Sequence, residues 1–207
     1  MKNGPLLFIG IFAALGLSWA GLALGSNAQL GGLAPYYDQL ENRAFPERAP
    51  GIASRGKLVY QDLGCAACHT QAVRRAGFGS DQDRKWGDRQ SYARDYIHQE
   101  RVQLGLSRVG PDLTNVGARI KSAADIYKLL YQGTSAMPAF PFLFEERLAM
   151  AEPSPKAVGR VGDREIVPTP RAEVLAAYLL SLNSPSDYPV EKADNTIAPA
   201  KKEGEHK

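Results

Sequence analysis

Two cysteines are all that the 207 residues contain, and both fall in one five-residue motif, so no structural disulfide competes for them. Histidine is nearly as scarce. Beyond His69, which adjoins the cysteines, only His98 and His206 remain, far apart in the chain, and a tetrahedral zinc site has no paired second set of ligands. An excess of one charge sign is missing too: 25 Lys and Arg against 22 Asp and Glu leave a net +3, too modest to argue for a nucleic-acid partner. No internal repeat is visible, and alternating strand patterns are scarcely signalled, so a mostly α organisation around one core domain is expected. The last absence is the most local: no charged residue occurs from Gly4 to Ala34.

Within that charge-free stretch, Pro5 to Gly25 is an apolar run of about 21 residues, enough to cross a bilayer as a helix. Lys2 and the amino terminus lie on its near side, and the next basic residue is Arg43, so the positive-inside tendency leaves the start in the cytoplasm and the rest outside. A cleaved secretory signal competes with this reading, since Ala23-Leu24-Gly25 and Ser26-Asn27-Ala28 offer small residues to a peptidase. The run exceeds the roughly 7–15 residues of a signal core, which favours a retained anchor over residues 5–25. Gly10, Ala14, Ser18, Gly21 and Gly25 fall within an arc of about 80° on a helical wheel, a stripe that lets a second helix approach. Glycine and alanine are common in membrane helices in any case.

Residues 26–53 read as a polar linker rich in Gly, Pro and Ala. A domain is expected over 54–184. Its first helix starts near Ser54 and stops at Gly64; its second spans Ala123 to Gln132 between a Ser122 cap, with Asp125 three residues on, and Gly133. Its third is capped by Thr169, with Pro170 in the first helical position, a Val174, Leu175, Tyr178, Leu179, Leu182 stripe, and a stop at Ser184-Pro185. Residues 185–207 are Pro, Ser, Asp, Lys and Glu with few large apolar residues, and a disordered tail is expected.

The chemistry lies in Cys65-Ala66-Ala67-Cys68-His69. Two thiols at this spacing followed by a histidine suit covalent attachment of one haem, each thiol bonded to one vinyl group and the imidazole facing the iron. A thioredoxin-like dithiol would instead need a strand before the motif in a βαβ setting, whereas a helix ends here. For the opposite face of the iron the chain offers Met137, Met150, His98, His206 and Met1. Met1 and His206 lie in the termini, His98 sits in a polar, solvated-looking segment, and Met150 follows charged residues. Met137 belongs to Ser135-Ala136-Met137-Pro138-Ala139-Phe140-Pro141, where the prolines stiffen an apolar loop that can hold a thioether in place. The other nitrogen of a metal-bound histidine commonly meets a backbone carbonyl, and Pro111, which has no competing amide proton, is the candidate.

Gly56-Lys57-Leu58-Val59-Tyr60, Cys65 to His69, Gly110-Pro111-Asp112-Leu113, Met137-Pro138 and the terminal Leu-Ala-Ala-Tyr-Leu-Leu together resemble class I cytochrome c. The resemblance is closer to the membrane-anchored mono-haem subunit, subunit II, of cbb3-type cytochrome c oxidases: His69-Thr70-Gln71 with Arg74, Arg108-Val109-Gly110-Pro111-Asp112-Leu113, and Ala136-Met137-Pro138-Ala139-Phe140-Pro141-Phe142-Leu143 follow that family's order. It implies a class I cytochrome c fold with one amino-terminal transmembrane helix, Gly56 and Tyr60 meeting Tyr178 where first and last helices cross, Cys65, Cys68 and His69 binding one haem c, and His69 and Met137 ligating the iron. It also implies electron transfer as a non-catalytic subunit beside a haem-copper catalytic subunit and other cytochrome c subunits, in the cell membrane with the haem domain on the periplasmic or outer face. The long segment 70–109 is an insertion whose role the resemblance leaves open. It is rich in arginine, and Arg108, or else Arg74, is a candidate for a forked contact with a haem propionate, with Trp86 a further donor. A freestanding anchored shuttle is the alternative within the same chemistry. A haem sensor or peroxidase would need an open sixth position.

Overall fold

The computed structural model describes residues 3–184 other than Glu41, Met150, Ala151 and Pro153. The tail 185–207, the expected stop at Pro185, and Met1, Lys2, Met150 and His206 lie outside the described residues. The chain divides after Pro46 into two compact units.

In the first unit the uncharged run folds as one helix, α1, Gly4–Leu30. Pro5 sits in its first turn, where a missing amide proton costs nothing. At 1.5 Å per residue α1 is about 40 Å long, more than the hydrocarbon thickness of a bilayer. It is long and apolar enough to cross a membrane, and the span is not buried inside the chain. The helix continues past Gly25 to Leu30, and over Ala20–Leu24 it loosens into a π-turn. That turn breaks the 100° spacing, so Gly21 and Gly25 do not simply extend the stripe of Gly10, Ala14 and Ser18. Where a linker is expected, β1 (Tyr36–Asp38) and β2 (Arg43–Phe45) pair antiparallel with Tyr36 opposite Phe45. The Asp38 carboxylate accepts from the Leu40 amide at 2.7 Å and starts the turn between them.

The second unit contains α2 (Gly51–Asp62), α3 (Val116–Arg119), α4 (Ala123–Gln132) and α5 (Pro170–Ser181), with β3 (Phe144–Leu148), β4 (Gly159–Val161) and β5 (Arg164–Pro168). Its core joins Tyr60 of α2, Ile126, Tyr127 and Leu130 of α4, Leu143, Phe144, Ile166, and Ala172, Leu175, Ala176 and Tyr178 of α5. α2 and α5 touch through glycine. A Cβ built on Gly56 would lie 1.8 Å from the Val174 carbonyl oxygen and 2.7 Å from Tyr178 Cβ, so only a hydrogen lets the two backbones meet. One turn on, the Tyr60 and Tyr178 rings pack edge to face with centroids 5.4 Å apart. Gly117 of α3 repeats the device against the Leu180 carbonyl, 2.1 Å from a built Cβ.

The fold is mixed and partly helical rather than mostly α. β5 is the centre of an antiparallel sheet ordered β3-β5-β4, with Glu146 opposite Ile166 and Val161 opposite Arg164. Thr169 ties this sheet to α5: its hydroxyl donates to the Leu143 carbonyl at 2.8 Å and accepts from the Ala172 amide at the helix start. Glu165, buried on β5, is held by the Arg147 guanidinium at 2.7 Å and the Ser154 amide at 2.9 Å.

Candidate haem-binding site

α2 ends at Leu63, and Gly64 follows at φ +69°, a left-handed conformation that glycine adopts without penalty. The chain then tightens into a single turn, Cys65–Ala67, closed by Ala67 N–H to the Gly64 carbonyl at 2.9 Å and His69 N–H to the Cys65 carbonyl at 3.0 Å. Both cysteines are free, Cys65 partly buried and Cys68 exposed. Burial pushes the Cys65 thiol up to about 11, so it is protonated at neutral pH. The element that leads directly into the motif is the helix α2, not the strand that a thioredoxin-like dithiol would require.

The segment Gly105–Pro111 lies against this turn. Leu106 N–H donates to the Ala66 carbonyl at 2.8 Å, Gly110 N–H to the Cys68 carbonyl at 2.9 Å, and the Ser107 hydroxyl to the Ala67 carbonyl. His69 Nδ1 lies 2.8 Å from the Pro111 carbonyl oxygen. A carbonyl can only accept, so Nδ1 carries the proton and Nε2 keeps its lone pair for a metal. Gly110 presses on the ring itself: a Cβ there would lie 2.3 Å from His69 Cε1 and 2.6 Å from Nδ1. Gly105, at φ +85°, comes equally close to the His69 carbonyl, 2.2 Å from a built Cβ.

Met137 comes from another wall of the same core, against which it and Cys65 both pack partly buried. Gly133, at φ +67°, ends α4, and the next residues fold back on themselves. Thr134 N–H donates to the Met137 carbonyl at 2.8 Å, Met137 N–H to the Thr134 hydroxyl at 3.0 Å, and Phe140 N–H to the Leu130 carbonyl at 2.8 Å. His69, Pro111 and the cysteines are thus joined directly, while Met137 is placed independently by the end of α4.

Arg108 has partners inside the protein: Nη1 donates to Asp81 Oδ2 at 2.7 Å and Nη2 to the Ala72 carbonyl at 2.6 Å. Arg74 also holds Asp81, through Nη2 at 2.9 Å and its own amide at 2.8 Å. Trp86 lies under the Arg84 guanidinium, 5.0 Å from centroid, and His98 is partly buried.

Thr70, Gln71 and Asp112 enter the sequence reading only as members of the family motifs, with no role of their own, and Asp81 not at all; the structure buries all four. Asp112 Oδ2 accepts from the Thr70 hydroxyl at 2.6 Å and the Ala72 amide at 2.8 Å, and its Oδ1 from the Thr114 amide at 2.8 Å. The Tyr178 hydroxyl donates to Gln71 Oε1 at 3.0 Å, and burial pushes this phenol up to about 12. The Tyr60 hydroxyl and Gln71 Nε2 are buried without a hydrogen-bond partner. Unpaired donors cost about 1–3 kcal/mol each when buried, which is tolerable where another group supplies acceptors.

This set fits a haem. Two free thiols, an imidazole with Nε2 available and a thioether on the same core are the groups such a macrocycle uses.

Residues 48–162, more than half of the chain, match the family described as Cytochrome C oxidase, mono-heme subunit/FixO. No curated protein matches the sequence. The matched stretch includes the Cys65–His69 turn, the Pro111 segment and the Met137 loop, and the long apolar helix precedes it. On this match the chain belongs to the FixO family, the mono-haem subunits of cbb3-type cytochrome c oxidase, and serves that complex in electron transfer through its haem.

Proposed function

We propose that the second unit is a class I cytochrome c domain in which Cys65 and Cys68 carry the haem by thioether bonds, His69 Nε2 and the Met137 sulfur ligate the iron, and Pro111 fixes His69. α1 anchors this domain to the membrane with the haem on the outer face. Its partners are the haem-copper catalytic subunit and the other cytochrome c subunits. The observation that carries the reading is the His69 ring held from two sides, by the 2.8 Å bond to the Pro111 carbonyl and by the bare backbone of Gly110. A bound haem supplies a one-electron Fe(III)/Fe(II) couple. The rest is done by the chain. The Pro111 carbonyl raises the basicity of the imidazole and fixes its orientation. The Met137 thioether favours the ferrous state and so a high potential. With His69 and Met137 both holding the iron of a bound haem, oxygen would have no place to bind there, and the domain would pass electrons rather than perform oxygen chemistry.

Arg108 is fixed here by one N–H of each terminal nitrogen, to Asp81 and to the Ala72 carbonyl, and its remaining N–H groups are the ones that would meet a haem propionate. Purification from membranes in mild detergent tests the whole reading. A mature chain heavier by one haem, co-purifying with a multi-spanning oxidase subunit, is expected; a colourless chain, or one that travels alone, overturns it. For the ligand, Met137→Ala abolishes the near-infrared sulfur-to-iron band, and survival of that band removes Met137 from the site.

A further inference from the structure

The segment 70–109 has a structural logic of its own. Leaving the haem-binding turn, residues 70–74 run beside residues 108–114, joined by Leu113 N–H to the Thr70 carbonyl at 2.8 Å. Two fully buried carboxylates sit along this seam, Asp81 from the inserted segment and Asp112 next to Pro111. Arg108 stands between them, 2.7 Å from Asp81 Oδ2 and 3.9 Å from Asp112 Oδ2. The peptide groups around Ala72 are gripped on both sides: the Ala72 amide donates to Asp112 at 2.8 Å, and its carbonyl accepts from Arg108 at 2.6 Å. Arg74 closes the far side of Asp81.

A buried carboxylate is stable only when paired and hydrogen-bonded. Asp81 meets that condition with four donors on Arg74 and Arg108, and in return it fixes where the Arg108 fork points. The fork holds Ala72, three residues after His69. Asp112, the residue that follows Pro111, ties the same stretch to the segment that holds the hydrogen-bond acceptor of His69.

We propose that Asp81 is a positioning residue for the axial histidine: through Arg108 and Ala72 it locks the register between residues 69–72 and 108–112, and so sets the strength of the His69–Pro111 hydrogen bond. The inserted segment is then a clamp on the histidine side of the haem. This rests on the reading of His69 as a haem ligand.

The test compares variants of the full-length, haem-loaded protein. Asp81→Asn removes a negative charge and Arg108→Gln a positive one; Arg108→Lys keeps the charge but loses the fork, because an ammonium cannot reproduce a planar two-point contact. If the clamp governs the hydrogen bond, all three weaken it. The ferric state then loses stabilisation, and the reduction potential rises in all three by about three- to tenfold in the equilibrium constant, the upper end being about 59 mV for one electron. The His69 Nδ1 proton resonance moves upfield in each, and the Asp81→Asn/Arg108→Gln double variant shifts no further than either single one. Arg75→Gln, at an exposed cation stacked on Phe78, leaves potential and resonance unchanged. Opposite shifts in Asp81→Asn and Arg108→Gln that cancel in the double variant, with Arg108→Lys at the wild-type potential, show a charge effect alone and overturn the proposal. Unchanged potentials in haem-loaded variants do the same. If Asp81→Asn does not fold, Arg108→Lys decides alone. A wild-type chain without attached haem fails the haem reading instead, a result distinct from any of these.

Discussion

Replacing Gly110 by alanine adds one methyl group where the structure has room for none. Its Cβ would lie 2.3 Å from His69 Cε1, 2.6 Å from Nδ1 and 2.9 Å from Nε2. Carbon atoms rest at about 3.5–4.0 Å, so the ring or the Gly110 backbone must retreat by more than about 1 Å. The bond from Nδ1 to the Pro111 carbonyl, 2.8 Å long, does not survive a retreat of that size along its own direction. Overpacking costs about 1–3 kcal/mol and the lost hydrogen bond about 0.5–1.5 kcal/mol. Gly110 is not in the left-handed region, so alanine also narrows the unfolded ensemble, which returns about 0.4–1 kcal/mol. The net loss is about 0.5–4 kcal/mol, or about 2–16 °C in Tm at about 4 °C per kcal/mol for a domain of this size. Thermal unfolding of the haem-loaded protein gives this directly, and the His69 Nδ1 proton resonance reports the hydrogen bond. A variant with wild-type Tm and an unmoved resonance would refute the packing argument, because no rotamer of alanine can avoid the contact.

The contact between α2 and α5 gives a second test: with 1.8 Å between a built Gly56 Cβ and the Val174 carbonyl oxygen, Gly56→Ala forces the helices apart and loses about 1–3 kcal/mol in denaturant titration, whereas Gly51→Ala, whose Cβ meets nothing, changes little. Acid should weaken the second unit. Burial raises the Asp81 carboxyl, but hydrogen bonds from Arg74 and the charges of Arg108 and Arg74 outweigh it and hold it below the ordinary carboxylate value. The Ser154 amide, then Arg147, lower Glu165 in the same way. A carboxyl lowered by folding stabilises fully above its unfolded value near 4, and that stabilisation is lost as pH falls through the lower folded value. Circular dichroism against pH therefore shows unfolding begin below about pH 4, and Asp81→Asn flattens that limb; an equal slope in the variant contradicts the pairing. In mild denaturant the near-infrared band of the methionine ligand fades before the α2–α5 core melts; coincident loss counts against independent placement of Met137.

Two helices of the second unit are legible from their ends. Ser122 and Gly133 bracket α4, and Thr169 with Pro170 opens α5, because a side-chain cap and a glycine stop act within a few residues and need no tertiary context. α2 begins earlier than Ser54, with Pro50 at the N-cap position and its carbonyl accepting from the Ser54 amide at 3.0 Å, and its first residues Gly51 and Ile52 are exposed and carry no apolar period. The sheet was readable in one place. Gly162-Asp163, with Gly162 at φ +61°, is a two-residue hairpin turn between Gly159–Val161 and Arg164–Pro168. β3 gives no such cue, since Phe-Glu-Glu-Arg-Leu lies at the edge of the sheet with only Phe144 buried. Asp81 was invisible for a deeper reason. An aspartate in an arginine-rich stretch reads as solvated loop, and its burial exists only once residues 74 and 108, far apart in sequence, close over it.

The two sides of the candidate haem site are built on different principles. On the histidine side the constraint is redundant: two glycine backbones in contact with His69, a carbonyl on Nδ1, and two buried carboxylates that align the flanking segments. On the methionine side, one turn from Thr134 to Met137 rests on the end of α4, with Ser135, Ala136, Pro138 and Ala139 exposed. Removing any one constraint from the first side leaves others in place, whereas the second depends on a single turn. The asymmetry follows from chain connectivity. The histidine follows the two cysteines directly, so under the proposed ligation its wall would be fixed where the macrocycle is attached, while the methionine, nearly seventy residues on, would need only to reach the iron. Under the proposed ligation, a soft sulfur on the looser wall and a basic nitrogen on the rigid one would let the protein set the potential from the histidine side without rebuilding the loop that carries Met137.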